Sequence, residues 1–166
     1  MTTAAREALE DCRGALAELT DGVQGSQWRR RWITSIVLLR AVGHVLDNVD
    51  GLRSPEYRAA IDDWWKQLKA SRPNPVIFWS LIDEERNTIL KEYQTRAGQG
   101  VTVQLSGIEI NQRTGEQKVD PPKPAIFHYV MNTGPYAGMD QRDLIREAIA
   151  WWEQALNAID ASASAA

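Results

Sequence analysis

Two groups of residues have the types and the spacing for chemistry. The first is Arg40, His44 and Asp47. On a helix these positions, four and then three residues apart, fall on one face, so a guanidinium, an imidazole and a carboxylate would stand in one row. The carboxylate can orient the ring and hold its charge, and histidine titrates close to neutral pH, as proton transfer requires. The same row also serves as a buried polar seam that fixes helix register.

The second group is the run Glu84-Glu85-Arg86-Asn87-Thr88-Ile89-Leu90-Lys91-Glu92-Tyr93. At about 100° per residue, Trp79, Ile82, Leu90, Tyr93 and Ala97 all lie within about 40° of Arg86 on a helical wheel. Arg86 is therefore expected in the middle of an apolar stripe, where a guanidinium must be paired. Its expected partner is a carboxylate from a neighbouring helix, with the row of Arg40, His44 and Asp47 facing it. Glu84 lies nearly opposite and is expected in solvent, with Glu85 at the edge of the stripe.

The run Arg86-Asn87-x-x-x-Lys91-x-Tyr93 resembles the Arg-Asn-x-x-x-His-x-Tyr signature of HEPN domains, helical bundles of toxin–antitoxin, phage-defence and RNA-processing systems. Arg86, Asn87 and Tyr93 match, and Lys91 stands where the family has its histidine. The resemblance implies metal-independent RNA cleavage with Arg86, Asn87 and Lys91 at the catalytic positions, often in a site assembled across a dimer. Residues 86 and 91 are about 140° apart around a straight helix, so one chain would not bring them together. Lysine has a pKa of about 10.4, so Lys91 can hold phosphate but not accept a proton unless strongly desolvated. His44 is the candidate to replace it, supported by Arg40, Asp47, Glu85 and Tyr93. The expected function is a HEPN-like RNA-binding or ribonuclease-derived domain, weak or inactive, of toxin–antitoxin or phage-defence type. The alternative is a noncatalytic dimeric bundle that acts as a protein-interaction module, and a small-molecule sensor with a Trp-lined pocket is a more distant third.

Other chemistry finds little support. One cysteine, Cys12, and two histidines leave no intramolecular disulfide and no Cys/His zinc set. There is no Glu-x-x-His pair, His-Glu-x-x-His run, phosphate-binding glycine loop or Gly-x-Ser-x-Gly, so no metal and no cofactor is expected. Arg29-Arg30-Arg31 is the one dense basic cluster and reads as a solvated helix start. His128, in Phe127-His128-Tyr129, reads as structural or interfacial. The segment from Met1 to Arg13 has no apolar run behind a basic start, and no stretch approaches the roughly 18 apolar residues of a membrane span. A cytoplasmic protein with no membrane contact is expected.

The elements that must position these groups follow from period and punctuation. A chain of 166 residues, 43% hydrophobic, is expected to form one domain over residues 1–160. Leu9, Cys12, Leu16 and Leu19 repeat at helical spacing, so a first helix covers about 3–20. Ser26 is expected to cap a second, to about Val49, apolar on two adjacent seams and so central. Ser54-Pro55-Glu56 starts a third, holding Trp64 and Trp65, which stops before Pro73. Asn74-Pro75 starts a fourth, expected to run to about Arg96 and to be closed by Gly98-Gln99-Gly100. Val101, Val103 and Leu105 then alternate with polar residues and Ile108 and Ile110 resume after Gly107, which reads as one bulged strand. Pro121-Pro122-Lys123-Pro124 interrupts, and a second strand covers about Ala125–Met131. Asp140 is expected to cap the last helix, through Trp152 to Ile159, and a disordered tail is expected from Ala161 to Ala166. The fold class is thus mainly α, a four- to five-helix bundle with a β-hairpin or ribbon inserted before the last helix. Adjacent residues on a helix diverge, so Trp64-Trp65 and Trp151-Trp152 together with an apolar ribbon suggest a homodimer, with RNA and a partner protein as the other expected partners.

Overall fold

A computed structural model of the chain describes residues 1–103, 107–110, 112–115, 117–119, 121 and 124–165. It is mainly helical, with a β-ribbon inserted before the last helix. The helices are α1 (Thr3–Ala17), α2 (Gly25–Asn48), α3 (Pro55–Ala70), a π-helical stretch Ile77–Glu85 that runs on into α4 (Arg86–Glu92), and α5 (Gln141–Ala165). Among the described residues no helix is long and apolar enough to cross a membrane.

Helix α2 is central, as its two apolar seams require. It packs on α1, α3, α4 and α5 and buries Trp28, Trp32, Ile36, Leu39, Val42 and Leu46. From the other side α5 brings Trp152, which is fully buried and donates its indole N–H to Leu39 O at 2.8 Å. Trp64, Trp65, Trp151 and Trp152 meet as one ring cluster with Phe78 between α3, α5 and the π stretch. The N-terminus of α1 is held by residues far along the chain. The carboxylate of Asp50, fully buried, accepts from the amides of Ala4 and Ala5 at 3.2 and 2.8 Å. Asp160 on α5 accepts from Thr2 N at 2.6 Å and from Arg6 at 2.8 Å, with Tyr57 of α3 donating to it at 3.3 Å.

Caps agree with the sequence at two helices and differ at a third. Ser54 Oγ accepts from Tyr57 N at 3.3 Å and Asp140 Oδ1 from Arg142 N at 2.8 Å, as expected of N-caps. Ser26 does not cap α2; the amide of Gly25 is satisfied by Gln99 Oε1, from the ribbon, at 2.9 Å. A side chain distant in sequence has replaced the local cap.

The fourth helix departs most. Its buried residues come at intervals of four, Ile77, Leu81, Glu85 and Ile89, with Phe78 and Ile82 beside them. Such a stripe needs turns wider than the α-helix makes, and the π-helical hydrogen bonds, spanning five residues, supply them. The centre of the stripe therefore lies on the side of Glu85 rather than at Arg86. Leu90 and Tyr93, placed by the wheel with the core, are 58% and 69% exposed. The helix also stops early, at Glu92, because Tyr93 turns into the left-handed region at φ 53°.

Past that turn the chain enters β1 (Ala97–Thr102), so Gly98-Gln99-Gly100 is strand rather than loop. β1 pairs antiparallel with β4 (Ile126–Met131), from Ala97 opposite Met131 to Thr102 opposite Ile126. β2 (Ile108–Ile110) pairs with β3 (Gln117–Val119) as a separate ladder, so the single bulged strand is instead two strands of a broken hairpin. Leu105, Pro122 and Lys123 lie outside the described residues. The Asn132 side chain lies over Gly98, where a Cβ would sit 2.2 Å from its Nδ2. The root of the ribbon is fastened by Tyr129, fully buried, stacked on Trp28 and donating to Val23 O at 2.8 Å. Gln141 adds to it, donating to Gly98 O and Val130 O and accepting from Trp28 Nε1 at 2.6 Å. Helix α5 continues through Ala165 with Ala163 buried, where a disordered tail was expected.

Candidate functional site

Helix α2 presents Arg40, His44 and Asp47 as one row, as their spacing demands, and α3 lies across it. Between them is a cleft of about 570 Å³ lined by Arg40, Gly43, His44 and Asp47 from α2 and by Asp62, Trp65, Lys66 and Lys69 from α3. Asp83, Arg86 and Asn87 stand beside it on the fourth helix, within electrostatic reach of Arg40 or His44 or bonded to one another.

The polar groups are linked unevenly. Arg58 of α3 takes Asp47, donating to its Oδ1 at 2.7 Å and its carbonyl at 3.0 Å, and also holds Asp62 at 2.5 Å. The carboxylate expected to orient His44 is thus turned to an arginine. Arg40 Nε forms an ion pair with Asp83 Oδ1 at 3.4 Å, and among the described residues the buried Nε and Nη1 of Arg40 have no hydrogen-bond acceptor. Its guanidinium instead lies 5.9 Å from the ring centroids of Trp65 and Phe78. The indole Nε1 of Trp65 is likewise buried without an acceptor.

Arg86 is half-buried and donates to Asn87 Oδ1 at 2.7 Å, and Asn87 Nδ2 reaches Asp83 Oδ2 at 3.5 Å. The ion pair expected for Arg86 with a neighbouring helix is not made among the described residues. The π turns have moved it from the stripe's centre to its margin, so pairing is no longer obligatory. His44 lies at an exposed position in the cleft wall. Its pKa is lowered by partial desolvation, then by the guanidiniums of Arg40 and Arg86, against the smaller opposing pull of Asp47 and Asp83. The ring is therefore neutral at pH 7 and can accept a proton.

The remaining candidates go elsewhere. Glu85 is fully buried and belongs to the core: Thr95 Oγ1 donates to it at 2.5 Å, Arg96 N at 3.0 Å, Arg96 Nε at 2.8 Å and Trp32 Nε1 at 3.4 Å. Lys91 is exposed on the last turn of α4. Tyr93 lies under Arg29, whose guanidinium is 4.5 Å from the ring centroid and donates to Tyr93 O at 2.7 Å. Both border a second cavity of about 440 Å³ that Trp28 and Trp32 also line. His128 is exposed on β4, its Nε2 2.9 Å from Thr102 Oγ1.

Sequence reasoning missed the α3 wall. Lys66, Lys69 and Trp65 share one helical face, but nothing local says that this face lies across Arg40 and His44. Asp83 had a signal, since it precedes Asn87 by one turn. Among the described residues no group of three or more His, Cys, Asp or Glu side chains is placed to hold a metal ion. Comparison with protein-family models, with curated proteins and with solved structures found no match to this chain.

Proposed function

We propose that the protein is a HEPN-like, ribonuclease-derived domain that binds RNA through phosphate contacts from Arg40 and Arg86, with His44 in the place of the family's histidine. The observation that carries this reading is that His44 stands close enough to Arg40 and Arg86 for both guanidiniums to lower its pKa, with buried donors of Arg40 left without acceptors among the described residues. Guanidinium forks suit the non-bridging oxygens of a phosphate, and a neutral ring beside them can take the proton of a ribose 2′-hydroxyl as its oxygen attacks phosphorus. The departing 5′-oxygen needs a proton in return. Among the described residues the cleft offers no second imidazole to give it, and Lys91 lies on the exposed turn, so cleavage is weak or absent and binding is the main activity. A cytoplasmic location and a toxin–antitoxin or phage-defence setting go with this reading.

The test is binding and cleavage of labelled single-stranded RNA in the presence of a chelator. The wild type is expected to bind with a salt-dependent affinity and to cleave slowly or not at all. Arg86→Ala and Arg40→Ala should weaken binding and flatten the salt dependence. Any residual cleavage should fall by roughly 10²–10³ in Arg86→Ala, the loss of one transition-state contact, and vanish in His44→Ala. Absence of RNA binding by the wild type overturns the proposal.

One observation favours a second reading, a noncatalytic dimeric module that binds another protein. Lys91, Leu90 and Tyr93 form an exposed end to α4, with Leu90 and Tyr93 at 58% and 69% exposure. Light scattering at micromolar concentration tests it, and a monomeric mass removes the dimer.

A further inference from the structure

We infer that the cleft between α2 and α3 is built for a phosphomonoester dianion, held by Arg40, Trp65, Lys66 and Lys69. The inference rests on the phosphate-binding half of the reading above and does not depend on cleavage. Among the described residues two buried N–H groups on the walls of this cleft, Nη1 of Arg40 and Nε1 of Trp65, have no acceptor, while Nε of Arg40 faces Asp83 Oδ1 at 3.4 Å. Buried donors are nearly always satisfied, and orphaned donors on residues of two different helices that line one cavity mark the place of an acceptor. Lys66 and Lys69, about one turn apart on α3, are exposed at the same cleft and form no ion pair among the described residues.

Charge narrows the ligand. Arg40, Arg58, Arg86, Lys66 and Lys69 stand in or beside the cleft against Asp47, Asp62 and Asp83. Asp47 and Asp62 are both tied to Arg58, and Asp83 is shared between Arg40 and Asn87. Five cations against three carboxylates leave a surplus of two positive charges. An internal phosphodiester carries one negative charge, whereas a phosphomonoester carries about 1.5 to 2 at pH 7. Gly43 lets Arg40 pack close against α2: a Cβ there would lie 3.2 Å from Arg40 Nη1 and 2.9 Å from the Trp152 ring. The volume, about 570 Å³, leaves room for the group that carries the phosphate. That group is either the end of an RNA strand or a small phosphorylated molecule, and the two share the recognised chemistry.

Indole N–H resonances of the ¹⁵N-labelled protein provide the test, with the Trp65 signal assigned by its loss in Trp65→Phe. The titrants are inorganic phosphate, a nucleoside 5′-monophosphate, and one short oligoribonucleotide bearing either a 5′-phosphate or a 5′-hydroxyl. The Trp65 signal is expected to move downfield with inorganic phosphate and the monophosphate as the indole gains an acceptor. Lys66→Gln with Lys69→Gln, both at exposed positions, should weaken the monophosphate by about tenfold through the loss of two partly screened charge contacts. A 5′-phosphorylated strand that acts at lower concentration than the monophosphate assigns the site to RNA ends. A response to the monophosphate but to neither strand assigns it to a small molecule, and with it the RNA reading fails while this inference stands. A Trp65 signal unmoved by every phosphate, or moved equally by the phosphorylated and hydroxyl strands, overturns the inference.

Discussion

Glu85 and its chain neighbour Arg86 enter two polar clusters finished in different ways. Around Glu85 every atom has a partner: Thr95, Arg96 and Trp32 donate to the carboxylate, and Arg96 reaches on to Ser80 and Glu84. Around Arg40, Asp83 and Arg86 the pairings are long or local, and donors are left over. A closed cluster is a device for holding shape. Its removal leaves buried charge, so it is expensive to disturb, and it has nothing to offer a ligand. An open cluster gives up some stability to keep donors available. The difference separates a residue that looks catalytic from one that can act.

The largest effect that sharpens this contrast is expected at the closed cluster. Glu85→Ala takes from the half-buried Arg96 its fully buried carboxylate and leaves the donors of Thr95 and Trp32 without an acceptor, and should cost about 3–5 kcal/mol in urea unfolding. A loss below about 1 kcal/mol would show the cluster is not closed in the sense argued. Next comes Gly43→Ala, which presses a methyl group on the Trp152 ring and on Arg40. It should cost about 1–3 kcal/mol by calorimetry despite the better helix former. Smaller again are changes at the open cluster. Arg86→Ala and Arg40→Met should each shift stability by no more than about 1 kcal/mol, and Arg40→Met can stabilise by removing unpartnered buried N–H groups, while both weaken RNA binding. If Arg86→Ala cost as much as Glu85→Ala, the two clusters would not differ.

The smallest expected effect is in pH. The pKa of His44 is lower in the folded protein than its ordinary 6.5, first through desolvation and then through Arg40 and Arg86. As pH falls below 6.5 the unfolded chain binds a proton that the folded chain still refuses, so folding loses stability there and gains none above it. The ring signals of His44 should titrate with a midpoint under 6.5, and His44→Ala should remove that part of the acid-side loss. A midpoint above 6.5 would mean that Asp47 and Asp83 outweigh the guanidiniums.

Much of this fold can be read from residues whose neighbours in sequence are also neighbours in space. Ser54-Pro55 and Asp140 start helices because a cap acts within one turn, and the two apolar seams of α2 require cover on more than one side. The row of Arg40 and His44 follows from helical spacing alone. What escaped the sequence is whatever depends on a distant partner or on a change of helical pitch. A wheel drawn at α-helical spacing centres on Arg86, and the wider turns of Ile77–Glu85 re-centre it, which is why Glu85 changes from supporting candidate to core. The end of α4 at Glu92 reflects Tyr93 in a conformation that tyrosine seldom adopts. The α3 wall of the cleft depends on how two helices cross, and no residue of α3 encodes that by itself.

The fastening of α1 has a consequence for how the chain acquires its shape as it is made. Its first amides are held by Asp50, and Thr2 and Arg6 by Asp160, which lies 158 and 154 residues further on. Synthesis runs from the N-terminus, so α1, made before α5, is fully secured only when α5 has been made. Until α5 arrives, α1 can lie on α2 and meet Asp50 but lacks Asp160, the second carboxylate at its beginning, and closing so long a loop is slow compared with forming either helix. In a nascent chain the apolar face of α2 destined for Trp152 stays open through the synthesis of the whole ribbon, a period in which shielding by a chaperone would matter most.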